Sequence, residues 1–85
     1  MKVKVLFFAG LREQLGTSGE EIDLPSDVMT VAGLRSFLSA KGQSWKSALA
    51  EGKAIRMAVN QDMVQPSARI QAGDEVAFFP PVTGG

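Results

Sequence analysis

Glu75-Val76-Ala77-Phe78-Phe79-Pro80-Pro81-Val82-Thr83-Gly84-Gly85 closes the sequence and decides how the rest of it is arranged. Val76 to Phe79 is an apolar run suited to a buried strand, and Pro80 and Pro81 then withhold two N–H donors and end the ladder. The two prolines also stiffen the root of the terminal segment toward an extended conformation. Gly84 and Gly85 carry no side chains, so they pass through any channel that admits a bare backbone. Six residues from Pro80 to Gly85, extended at roughly 3.3–3.6 Å each, reach about 20 Å. The sequence thus divides into a folded body, residues 1–79, and a flexible, extended Gly-Gly tail, residues 80–85, with an α-carboxylate at its tip.

A second apolar strand is expected at Lys2 to Phe8, which alternates: Val3, Val5 and Phe7 lie on one face, and Lys2, Lys4, Leu6 and Phe8 on the other. That second face turns from charged to apolar at Leu6 and Phe8. Phe8 therefore either packs under a neighbouring loop or belongs to a binding surface. Leu11 and Leu15, with Gly16 behind them, predict one or two helical turns. Thr17 to Glu20 reads as a polar turn and Glu21 to Leu24 as strand two, ended by Pro25 and forming a hairpin with strand one. Glu20, Glu21 and Asp23 are close in sequence, yet consecutive strand residues point to opposite faces, which favours a solvated edge over a metal or acid–base site.

Thr30 is the predicted N-cap of the main helix, whose buried stripe is Val31, Leu34, Phe37, Leu38 and the stem of Lys41, with Gly42 as its stop. Gly33 within it costs about 1 kcal/mol relative to alanine, which marks either a close approach to the sheet or simple tolerance. Ser44 is expected to cap a shorter helix holding Trp45, Ala48 and Leu49, closed by Gly52. Ile55 to Val59 is strand three, Asn60-Gln61-Asp62 a turn, and Met63-Val64 a short strand stopped by Pro66. Met63 lies just past that turn on an edge strand, where a thioether either serves a contact surface or fills a core gap. One long helix must cover one face of the sheet, and a crossover through it lets a later strand run parallel to the first. Strands one and five are the most apolar and are the expected central, parallel pair. The fold class is α+β, a mixed five-stranded sheet with one main helix on one face.

Composition narrows the chemistry. At 85 residues, 45% of them apolar, the chain can build a single hydrophobic core. There is no cysteine and no histidine, which removes disulfides, thiolate metal sites, a cysteine nucleophile and the commonest general base. Nine basic and nine acidic residues cancel without forming blocks, so nucleic acid is not an expected partner. Val5 to Ala9 is too short to span a bilayer, and Met1-Lys2-Val3-Lys4 does not start a signal peptide, so no membrane partner and a cytoplasmic location are expected.

Val5-Leu6-Phe7-Phe8-Ala9 with Leu11-Arg12-Glu13, Ala58-Val59-Asn60-Gln61, and Gly73 through Gly85 together resemble the small subunit of molybdopterin synthase, a ubiquitin-like sulfur-carrier family. The resemblance implies a β-grasp fold. It implies that Gly85 is adenylated by an activating enzyme, an adenylyltransferase like those that activate ubiquitin, then converted to a thiocarboxylate using sulfur from a sulfurtransferase. That thiocarboxylate would donate sulfur to precursor Z, the cyclic pyranopterin monophosphate, in the active site of the large subunit, forming the molybdopterin dithiolene within a heterotetramer. By the same resemblance, the partner-binding residues are Phe8, Arg12, Met63, Phe79, Pro80, Pro81, Val82, Thr83 and Gly84. No cofactor is bound permanently, no metal is held, and ATP is used by the activating enzyme. The Phe-Phe-Pro-Pro root and the inserted Gln43 to Gly52 piece favour this branch over the shorter carriers of thiamine synthesis.

Elementary chemistry is consistent with such a division of labour. A carboxylate is a poor electrophile and must be activated, and the chain has no glycine-rich phosphate loop before a helix with which to do so itself. Alone it is not expected to be a catalyst. Once adenylated, the Gly85 acyl carbon accepts either sulfur or a protein amine. The alternatives to the molybdopterin reading are therefore a ubiquitin-like protein modifier, or a sulfur carrier for thiamine synthesis or tRNA thiolation.

Overall fold

Alternation in Lys2-Val3-Lys4-Val5-Leu6-Phe7 buries Val3, Val5 and Phe7 and produces the first strand. The computed structural model describes residues 1–81. Its elements are β1 (Lys2–Phe7), α1 (Ala9–Leu15), β2 (Gly19–Asp23), α2 (Val31–Ser39), α3 (Gln43–Ala48), β3 (Arg56–Val59), β4 (Asp62–Met63) and β5 (Glu75–Phe79). The five strands form one sheet in the order β2-β1-β5-β3-β4. β5 is central, parallel to β1 and antiparallel to β3. This is the β-grasp arrangement, and its two most apolar strands are the interior parallel pair.

Val3, Val5 and Phe7 from β1, Val76 and Phe78 from β5, and Met57 from β3 form the sheet side of the core; Val31, Leu34 and Leu38 of α2 form its helical side. Leu11, Leu49 and Ile70 close its margins. The N-terminus of α2 is fixed by Thr30, whose hydroxyl oxygen accepts from the Gly33 N–H at 3.1 Å. Arg35 on α2 holds the loop after α3 by donating to the carbonyl oxygens of Leu49 (2.9 Å), Ala50 and Lys53 (2.9 Å).

Several boundaries differ from the sequence expectation. β2 begins at Gly19 rather than Glu21, because Gly19 pairs with Leu6 so closely that a Cβ there would sit 2.5 Å from the Val5 carbonyl oxygen. A breaker by propensity is here the residue that permits close pairing. α2 ends at Ser39, before Gly42, and Gly42 is instead the N-cap of α3, a place expected for Ser44. Lys41 consequently lies beyond α2; its Nζ pairs with Glu20 and sits 4.2 Å from the centroid of the Trp45 ring. β4 is Asp62–Met63, so the hairpin loop is Asn60 and Gln61, both at positive φ (50° and 73°). The Asn60 side chain anchors this loop to the start of β5, accepting from the Glu75 N–H and donating to Asp74, each at 3.0 Å.

Candidate functional site

Because paired residues share a face of a sheet, the pairing register lays out the surface that the helices leave open. Gly19 pairs with Leu6, Leu6 with Ala77, Ala77 with Ala58, and Ala58 with Met63. One residue from each strand thus makes an apolar row running the full width of the sheet, about 19 Å at the usual strand spacing. On one side of this row the face is charged: Lys4 lies between Glu21 and Glu75, and Lys2 lies across from Asp23. On the other side it meets Phe79, paired with Arg56, and the end of β1 where Phe8 follows.

Phe8 caps α1 and donates its N–H to the Phe78 carbonyl at 3.2 Å, so it stands beside the strand end from which the tail departs. Phe8 is 45% exposed and lies outside the core, so it is not packed away under a neighbouring loop. Ala9 turns the chain into α1 at φ 53°, a left-handed conformation that costs an alanine about 1 kcal/mol. Arg12 is exposed on α1, one turn beyond Phe8. Met63 is 56% exposed at the far end of the apolar row. Phe79 is half-buried on the open face, and Pro80 and Pro81, also half-buried, carry the chain away from it. Val82, Thr83, Gly84 and Gly85 lie outside the described residues.

Phe8, Phe79 and Met63, distant in sequence, are therefore gathered on one apolar half-face at the tail root. Leu6 joins them, as the sequence alternation indicated. Ala58, Ala77 and Arg56 also belong to it and were missed, because small residues and a lone arginine carry no signal until the register is known. The acidic residues of β2 are spread apart: Glu20 pairs with Lys41, Glu21 lies across from Lys4, and Asp23 lies 3.4 Å from the N-terminal amine. Among the described residues, no group of three or more acidic side chains is placed to hold a metal ion, and no helix is long and apolar enough to cross a membrane. An apolar half-face of this kind has the chemistry of a protein-docking surface.

Comparison with known proteins gives a consistent result. The model of the ThiS family matches residues 5–85. The molybdopterin synthase sulfur carrier subunit of Escherichia coli (strain K12) is 48% identical over 83 residues, covering 98% of this chain and 99% of the relative. The protein of the same name from Haemophilus influenzae is 43% identical with the same coverage. Among solved structures, the small archaeal modifier protein 1 of Haloferax volcanii superposes with a TM-score of 0.74 at 26% identity, covering 95% of this chain and 98% of that one.

Proposed function

The chain belongs to the ThiS family, and on that premise we propose that it is the sulfur-carrying small subunit of a molybdopterin synthase. The observation that carries this reading is the 48% identity, end to end, with a molybdopterin synthase sulfur carrier subunit. The apolar half-face at the tail root supports it as the surface on which an activating enzyme and the synthase large subunit dock in turn.

The chemistry starts from the carboxylate. An oxygen of Gly85 attacks the α-phosphorus of ATP in the activating enzyme, pyrophosphate leaves, and the acyl carbon becomes electrophilic. The terminal sulfur of a sulfurtransferase persulfide then attacks the acyl carbon, AMP leaves, and a thiol reductant cleaves the S–S bond of the resulting acyl disulfide to leave a thiocarboxylate. Carried into the large subunit, the thiocarboxylate sulfur bonds to cyclic pyranopterin monophosphate on the way to the dithiolene, and water then cleaves the acyl C–S bond, leaving the sulfur on the pterin and the Gly85 carboxylate regenerated for another round. Delivery at the tip of a tether rooted in the central strand presents the sulfur already oriented, which removes much of the entropic cost of capturing free sulfide.

The test is the intact mass of the full chain after incubation with the activating enzyme, ATP and a sulfur donor. Exchange of one oxygen for sulfur at Gly85 is the expected result, and an unchanged mass with a demonstrably active activating enzyme would overturn it. A second reading, attachment of Gly85 to a lysine of another protein, is favoured by the structural likeness to a small archaeal modifier protein. It predicts instead an ATP-dependent isopeptide-linked conjugate under the same conditions.

A further inference from the structure

Arg56 is, by register, the single charged residue on the apolar half of the open face among the described residues. Its strand partner there is Phe79, and its side chain is exposed. Its guanidinium makes no hydrogen bond or ion pair with any described residue, whereas Arg35 is committed to three carbonyl oxygens. On the other half-face opposite charges lie next to one another by register, Lys4 across from Glu21 and Glu75 and Lys2 across from Asp23, whereas Arg56 has Phe79 across from it. Beside Arg56 the surface dips into a recess of about 190 Å³ whose walls include Ile55, Met57, Met63 and Val64.

These facts set a condition on whatever covers the face. A protein that packs on Phe79 and Met63 takes water away from Arg56 as well. A desolvated guanidinium is strongly disfavoured unless an anion opposes it. Its planar fork is matched by a carboxylate, which takes two parallel hydrogen bonds.

We infer that Arg56 is a specificity-determining docking residue, which receives an aspartate or glutamate side chain of the synthase large subunit in the recess beside Met63. This rests on the proposal that the half-face is where that subunit docks. A surface without a carboxylate at that point is rejected, because covering the face would strand the cation. The whole chain is neutral, so the selection comes from one placed charge rather than from net attraction.

Calorimetric titration of the synthase large subunit with the full chain and with Arg56→Ala, Arg56→Lys, Arg56→Glu and Phe79→Ala variants tests this. The alanine variant is expected to bind about tenfold more weakly and the glutamate variant about a hundredfold more weakly. Arg56→Lys should fall between the native chain and alanine, and rising salt should weaken the native chain more than the alanine variant. Thermal melting of the three Arg56 variants should match the native chain, since the Arg56 side chain is exposed. Binding of Arg56→Glu within about twofold of native overturns the inference. If Phe79→Ala still weakens binding in that case, the docking face stands and only the role of Arg56 falls. If neither variant binds differently, or the native chain does not bind the large subunit, the docking face falls and the inference with it.

Discussion

Phe7 and Phe78, strand partners across the central parallel pair, stack with ring centroids 6.1 Å apart and planes 19° from parallel. Trp45 meets Phe7 edge-on at 5.5 Å. Both phenylalanines are fully buried, while Phe79, the next residue along, faces the open side. Two adjacent phenylalanines therefore have separate tasks. Phe78→Ala should lower stability by about 3–5 kcal/mol, read as a large fall in Tm. Phe79→Ala should cost less stability and instead weaken binding to the large subunit.

Two glycines should respond oppositely to alanine. A Cβ on Gly19 would lie 2.5 Å from the Val5 carbonyl oxygen, a backbone atom that cannot give way without disturbing the hairpin. Gly19→Ala should destabilise by about 1–3 kcal/mol. A Cβ on Gly33 meets only ordinary contacts, the nearest being Thr30 Oγ1 at 3.4 Å. Gly33→Ala should stabilise by about 1 kcal/mol, a rise in Tm of roughly 4–8 °C for a domain of this size.

The hairpin loop carries Gln61 at φ 73° after Asn60 at φ 50°. A two-residue loop with both residues left-handed favours Asn-Gly. Gln61→Gly should therefore raise stability by about 1 kcal/mol in chemical denaturation, with unchanged sulfur acceptance at Gly85.

Arg35 is the clasp between α2 and the loop after α3. Arg35→Ala removes a charged donor from three carbonyl oxygens, of which Leu49 keeps the Ser39 hydroxyl and Ala50 the Lys53 N–H, and should cost about 1–2 kcal/mol. Arg35→Lys should recover only part of this, because an ammonium cannot reproduce the spread of the guanidinium fork. Faster amide exchange confined to residues 49–53 would locate the effect.

At the tip of the tail, Gly85→Val should leave the melting temperature unchanged and abolish sulfur acceptance in the intact-mass assay. Normal thiolation of that variant would show that a bare backbone is not what the activating enzyme requires.

Much of the fold was legible because the strongest patterns coincide with the most buried elements. The alternation of Val3, Val5 and Phe7, the apolar run from Val76 and the Thr30 cap each have one physical solution, and together they specify the parallel centre and the helix across it. The boundaries that escaped were set by backbone geometry rather than side-chain preference. Gly19 continues a strand because a neighbour lies too close for a Cβ, and Gly42 starts α3 with no side-chain cap. In the site, Phe8 and Met63 were open between surface and core and Phe79 belonged to an apolar run suited to a buried strand; their place on one face, like that of Ala58, Ala77 and Arg56, came only from the strand register.

The placement of β5 also has a mechanical side. It is bonded along one edge to β1 and along the other to β3. A pull on the tail along the strand axis therefore loads both ladders in shear, so that their hydrogen bonds share the force instead of parting one after another from an end. A force applied through the end of β5 thus meets the resistance of two whole ladders at once.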